Sequence, residues 1–160
     1  MILVLVGTFK ADFSRPIKAI EKTILEGAIT DEIIIQAGHT SYESSHMTIR
    51  KFIESDELNE LYDNAEIIVT HAGVGSILKG VEKGKKMIAV PRLHKYHEHV
   101  DNHQLDILEE FANQNYLIAW NENDNFARLL AQAKNFNPSP YISNKMGLTD
   151  YLINYIETLK

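Results

Sequence analysis

The chain has 160 residues, 44% of them hydrophobic, and a formal charge of −6, which is the composition of one soluble globular domain with an ordinary core. Its acidity, with no basic stripe interleaved with aromatics, argues against a nucleic-acid partner. The lack of cysteine removes disulfides, thiolate nucleophiles and thiol metal sites, and makes the cytoplasm the expected compartment.

Met1 to Val6 is too short and lacks the basic flank of a signal peptide, and no run approaches the ~20 apolar residues of a membrane helix. Ile2 to Val6 instead predicts a strand buried on both faces, ending at Gly7-Thr8. Pro16, in a first turn after Ser14, opens a helix carried by Ile17, Ile20, Ile24 and Leu25 and stopped by Gly27. Ile33-Ile34-Ile35 predicts a second strand closing on Gln36-Ala37-Gly38. Ile49, Phe52 and Ile53 fit a short strand or a helix, which period alone does not separate. Leu58, Leu61 and Tyr62 are spaced for a short helix, and Glu66 to Thr70 is the third clear strand.

A helix is predicted from Ile77 to Lys83 and a strand over Met87 to Val90. A histidine-rich loop follows, then a helix from about His99 to Asn113 with Val100, Leu105, Leu108 and Phe111 on one face. Tyr116 to Trp120 reads as a fifth strand, Phe126 to Ala133 as a helix, Asn135 to Pro140 as a linker, and Leu148 to Leu159 as a closing helix. Strands and helices alternating through short connections predict a Rossmann-like parallel sheet with helices on both faces. Its length is that of one half of a two-lobed cleft.

The stretch His71-Ala72-Gly73-Val74-Gly75-Ser76 lies where a parallel strand ends and a helix begins. Glycines there admit φ > 0 and close approach of a ligand, and the free N–H groups of the following helix suit a diphosphate. A simple tight turn accounts for the same residues. The pattern lacks the third small residue of a dinucleotide fingerprint and the Lys-Ser/Thr of a P-loop. His71 stands at the strand's carboxyl end, where open α/β sheets place ligands.

His94, His97, His99 and His103 fall within ten positions. The i,i+4 pair His99 and His103, with Glu98 or Asp101, has the spacing of a zinc site, yet no His-Glu-x-x-His occurs. A polar ligand loop, with His99 or His97 as proton donor or phosphate ligand, fits the composition better. Asp101, Asn102 and Gln104 offer carboxylate and amide groups that read sugar hydroxyls, or they simply cap the helix. No Asp-x-Asp pair is present to hold a nucleotide diphosphate through a metal.

Taken together, the loop from His71 to Ser76, the segment from Gly84 to Arg92 and the run Glu98-His99-Val100-Asp101-Asn102-His103-Gln104 resemble the C-terminal, donor-binding half of the family 28 glycosyltransferases. The likeness extends to stand-alone catalytic subunits of two-component enzymes: the subunit that adds N-acetylglucosamine to a dolichol-linked sugar, and PssE-like and EpsF-like subunits of exopolysaccharide and capsule synthesis. Val6-Gly7-Thr8 with Phe13 and Arg15, and Gln36 with Gly38, carry it over nearly the whole chain.

The resemblance implies the C-terminal half of a GT-B fold and a UDP-sugar donor. It implies inverting transfer of a hexose to a lipid-linked saccharide, with neither metal nor cofactor. The acceptor-binding half is then a separate membrane-associated subunit, which would hold this chain peripherally at the inner face of the membrane. By position, Gly73, Val74, Gly75 and Ser76 hold the diphosphate, Asn102 and Gln104, with Asp101, contact the donor sugar, Phe52 and Ile53 face the uracil, and Gly7 and Thr8 floor the cleft. His71 and His99 are the catalytic candidates. Relatives usually carry a ribose-binding glutamate where this chain has Lys79, and Glu82 replaces it by i,i+3 geometry. The general base is unassigned, and a subunit that binds or stabilises without turnover is the alternative reading.

Overall fold

In the computed structural model, residues 1–142 are described; the closing helix expected over Leu148 to Leu159 lies outside them. Six strands form one parallel sheet: β1 (Ile2–Leu5), β2 (Ile33–Gln36), β3 (Thr48–Arg50), β4 (Ile67–His71), β5 (Lys86–Val90) and β6 (Ile118–Ala119). Five α-helices connect or flank them: α1 (Ser14–Leu25), α2 (Ser55–Asn64), α3 (Val74–Glu82), α4 (His103–Asn113) and α5 (Phe126–Asn135). The ambiguous Ile49 segment is therefore a strand, three residues long at the sheet edge, and Phe52 and Ile53 follow it in a loop.

Strand alternation sorts the core into two layers. Ile2, Val4, Ile67, Val69, Ile88 and Val90 face α1 and α5, meeting Phe13, Ile17, Ile20, Leu129 and Leu130. Leu3, Leu5, Ile68, Met87 and Ala89 face α2, α3 and α4, meeting Tyr62, Ile77, Val81 and Leu108. Because every central strand is buried on both faces, the runs read as continuously apolar rather than alternating.

Three helices end by the same device. Gly27 (φ 75°), Gly84 (φ 63°) and Asn115 (φ 58°) take left-handed backbone. Their N–H groups reach the carbonyls of Ile24, Val81 and Ala112, while the next residues reach Thr23, Gly80 and Phe111, a Schellman closure that satisfies the last carbonyls of α1, α3 and α4. Helix α4 starts four residues later than its apolar spacing suggested. Val100 is exposed and outside the packed face, and the Asp101 carboxylate accepts the His103 N–H at 3.0 Å, fixing a bend before the helix.

The strand order is β3-β2-β1-β4-β5-β6. Chain direction across the sheet reverses between β1 and β4, so the loops leaving their carboxyl ends diverge and open a crevice. The Gly38 loop after β2 presses on the same region. A Cβ on Gly38 (φ 59°) would lie 2.1 Å from the Gly7 carbonyl oxygen, so two backbones touch where a side chain has no room. Gly38→Ala is expected to cost more than ~2 kcal/mol, combining left-handed strain with a clash against backbone. Gly84→Ala, whose Cβ meets nothing within 4 Å, should cost about 1 kcal/mol from its φ alone. Urea unfolding of both variants checks the ranking.

Candidate functional site

The crevice at the β1/β4 reversal is built by two glycine loops around one imidazole. After β4 the chain turns at Ala72-Gly73 and enters α3, with Gly73 in extended backbone at the N-cap and no side-chain cap. The first helical bond runs from Ile77 N–H to the Gly73 carbonyl. The N–H groups of Val74, Gly75 and Ser76 have no acceptor among the described residues, which is the state of a helix start able to receive an anion. A Cβ on Gly75 would project into open space, leaving a bare backbone surface. Tyr62, fully buried on α2, donates its hydroxyl to the Ser76 carbonyl at 3.1 Å and so tethers this first turn to the core. Burial pushes the Tyr62 pKa up to about 12, so the phenol remains a donor.

His71 is wedged between the loops. Cβ atoms on Gly73 and Gly7 would lie 2.2 and 2.9 Å from its Nε2, so both positions need glycine for the ring to fit. Burial, and then the neighbouring Arg92 and His99, lower the His71 pKa to about 4, although a backbone bond to Leu5 opposes the shift. The ring is neutral at pH 7, and the 3.4 Å distance from Nδ1 to the Leu5 carbonyl suits a proton on Nδ1. Around it lies a cleft of about 210 Å³ lined by Gly7, Thr8, Gln36, His71 and Gly73 to Ser76.

A second, more open cavity of about 570 Å³ adjoins the cleft, sharing Thr8 and His71 and adding Phe9, Lys10, His99 and Gln104. Gln104 is only 8% exposed, and its Oε1 accepts the Arg92 N–H at 2.9 Å, so the amide Nε2 is the end left for a ligand. His99 packs on Phe9 with ring centroids 4.8 Å apart, and its Nδ1 lies 3.0 Å from Asp101 Oδ1. The His103 N–H and His99 together hold the Asp101 carboxyl below its usual range.

The structure thus gathers Gly7, Thr8, His71, Gly73, Val74, Gly75, Ser76, His99 and Gln104 along one groove. Other expected residues fall elsewhere. Asn102 accepts the His94 N–H at 3.0 Å and lines a separate cavity of about 370 Å³ with Arg15, Leu93 and Trp120. Phe52 is 53% exposed and stands edge-on to His39. Ile53 is buried, and reaches the cleft only through its N–H bond to Gln36 Oε1. Glu82 is exposed on the last residue of α3, the end remote from the glycine loop, and Lys79 lies over the Tyr62 ring. Among the described residues no three His, Asp or Glu side chains converge as a metal site; Glu98, a carboxylate that spacing offered for one, is held by Arg15.

A buried ionic network had no counterpart among the candidate site residues. Arg92 is 1% exposed and donates to the carbonyls of Val6, Ala11 and Glu98 at 2.7, 3.2 and 3.0 Å. Glu98, 4% exposed, receives a two-pronged contact from Arg15 at 2.9 and 2.8 Å and the Leu93 N–H at 3.0 Å. These bonds fasten the loop after β5 to the loop after β1. The cue in the sequence was slight: an arginine directly after an apolar strand and proline.

A Rossmann-like half with a glycine loop and a bare helix start at its switch point is nucleotide-binding architecture, and comparison narrows the class. The chain belongs to the glycosyltransferase family 28 C-terminal domain family, whose model matches residues 1–146. It is similar to the UDP-N-acetylglucosamine transferase subunit ALG13 of Candida glabrata, 30% identical over 120 residues, covering 71% of this chain and 57% of that protein. The ALG13 subunit of Candida albicans is 29% identical over 129 residues, covering 74% and 42%. The chain therefore spans about half the length of these relatives. Among solved structures, the solution structure of ALG13 superposes with a TM-score of 0.56 at 19% identity, covering 91% of both chains. The kitacinnamycin glycotransferase gives 0.59 at 14% identity, covering 84% of this chain and 35% of its own. The fold is that of the C-terminal Rossmann-like half of a GT-B glycosyltransferase.

The His71 environment has a measurable consequence. Its folded pKa lies below the unfolded value, so between pH 6.5 and about 4 the unfolded chain binds a proton that the folded chain refuses. This contribution to stability is full above pH 6.5 and is lost as pH falls through that window. In NMR titration the His71 Cε1–H resonance should move near pH 4, and His71→Asn should flatten the stability slope between pH 6.5 and 4.

Proposed function

We propose that this chain is the donor-binding, catalytic subunit of a two-component inverting glycosyltransferase, transferring a hexose from a UDP-sugar to a lipid-linked saccharide. The observation that carries the reading is the cradle at the β1/β4 switch point, where three N–H groups of α3 have no acceptor among the described residues and Gly75 exposes bare backbone. The diphosphate lies across Gly73, Val74, Gly75 and Ser76, above the Gly7-Thr8 floor, where the α3 dipole stabilises the charge that develops as UDP leaves. The sugar extends into the adjoining cavity toward the Gln104 amide. An acceptor hydroxyl attacks the anomeric carbon from the opposite face, and the bond from that carbon to the diphosphate oxygen breaks.

His71, uncharged, shapes the floor beneath the reacting groups, and His99, oriented by Asp101, is the proton-handling side chain at the groove. Phe52 and Ile53 lie on the approach that the uracil takes past Gln36, and the ribose contact assigned to Glu82 requires the nucleoside to run along α3. Asp101 acts on the donor sugar through His99, while Asn102 lines the neighbouring cavity with Arg15 and Trp120.

The acceptor is supplied by a membrane-associated partner, which holds this chain at the inner face of the membrane; no helix among the described residues is long and apolar enough to cross one. Exopolysaccharide or capsule synthesis is the pathway we assign. The ALG13 relatives make UDP-N-acetylglucosamine the first donor to assay.

Isothermal titration calorimetry with UDP tests the cradle. The unaltered chain should bind, and Gly75→Val should bind ~10-fold or more weakly, about 1.4 kcal/mol. Its thermal midpoint should be preserved, because a Cβ there meets nothing within 4 Å. Equal UDP affinity in the two proteins would place the diphosphate elsewhere.

A further inference from the structure

A nucleoside diphosphate brings about two negative charges into the groove, and the residues assigned to hold it carry no full positive charge. The α3 start supplies a fractional one, and His71 is neutral because burial lowers its pKa to about 4. The cations that line the groove or adjoin it include Lys10, Arg15, Arg92, Lys95 and, when protonated, His99; Lys51, whose carbonyl accepts the Gly38 N–H, lines neither cavity. Arg15 is committed to Glu98, Lys95 to Glu122, and His99 to Asp101. Arg92 is buried beneath Phe9 and Phe13, with its terminal nitrogens on three carbonyls. Lys79 and Lys83 belong to the far end of α3, over Tyr62 and against Asp63.

Lys10 differs from all of these. It is exposed, lines the cavity beside Thr8, His71 and Gln104, and has no carboxylate within ion-pair distance among the described residues. It follows Thr8 by two residues, and Thr8 lines both cavities. A lysine stem pivoting from this loop sweeps the boundary between the cleft and the sugar cavity, which is where the diphosphate would lie. The same cavity also holds a polar group waiting for a ligand: Gln104 is 8% exposed, its Oε1 is occupied by Arg92, and its Nε2 has no acceptor among the described residues.

We propose that Lys10, on the loop after β1, closes over the bound donor and neutralises its diphosphate from the side opposite the α3 N-terminus. The proposal rests on the donor-binding reading above and adds the residue that supplies the missing charge. A lysine serves as a mobile point charge for phosphate, able to swing in when the donor arrives and away when UDP departs.

The test is calorimetric titration of the full chain with UDP and with UMP, each in EDTA and in Mg²⁺, for the unaltered protein, Lys10→Met and Lys10→Arg. The unaltered chain should bind UDP as well in EDTA as in Mg²⁺. Lys10→Met should weaken UDP roughly 10-fold and UMP by less, as expected for one lost charge-assisted contact, and Lys10→Arg should restore most of the loss. Lys10 is exposed, so these variants should keep the parent thermal midpoint. UDP affinity unchanged in Lys10→Met, or a requirement for Mg²⁺ in the unaltered chain, would overturn the role of Lys10 while leaving the cradle standing. Failure of the unaltered chain to bind UDP under any condition would overturn both.

Discussion

A guanidinium buried at the carboxyl edge of the sheet holds the groove together. Arg92 leaves β5 and sends its NH groups to the carbonyls of Val6, Ala11 and Glu98, with its face 4.6 Å from the Phe13 ring centroid. Burying such a charge is unfavourable unless its hydrogens are matched and a counter-charge is near. Three carbonyls take its terminal nitrogens and the Glu98 carboxylate lies near as counter-charge, while its Nε has no acceptor among the described residues; burial lowers the Arg92 pKa against the opposing pull of Glu98. Its own N–H then fixes Gln104. One side chain thereby sets the loop after β1, the loop after β5 and the orientation of the amide that a donor sugar would meet.

The second constraint is steric. His71 occupies a slot whose walls are Gly7 and Gly73, and the Gly38 backbone closes in behind Gly7. Three strand ends that are adjacent in the sheet, β2, β1 and β4, meet here, and each contributes a glycine where any side chain would collide. The glycines therefore do two kinds of work. Those at 7, 38 and 73 permit close packing around the imidazole, whereas Gly75 faces open space and leaves helix N–H groups accessible. A neutral histidine with a proton on Nδ1 is the natural filler for such a slot, since a charged one would be poorly solvated.

Much of the architecture was legible because the central strands are nearly continuous apolar runs and the turns carry glycine at strand ends. Those glycines follow β1, β2 and β4, strands that are adjacent in the sheet. What escaped had specific causes. Strand β3 is three residues long and at an edge, where neither period nor burial marks it. Val100 and Leu105 imitate a helical face although both are exposed, which displaced the expected start of α4. Asn102 and Gln104, two residues apart, lie in one polar run, yet that spacing at a helix start turns them toward different cavities. Arg92 and Glu98 look like surface charges in sequence, and only the tertiary contacts between the β1 and β5 loops bury them.

The groove joins a bare helix start, a glycine-walled histidine and an amide held by a buried arginine, an arrangement suited to a diphosphate followed by a polar sugar. The nucleotide proposed for this chain would lie at the β1/β4 switch point and not in the neighbouring Arg15 and Trp120 cavity. Backbone amide chemical-shift mapping during a UDP titration tests this most directly. The largest changes should fall at Gly73 through Ile77 and at Gly7 and Thr8; changes centred on Leu93, Trp120 and Asn121 would place the nucleotide in the other cavity.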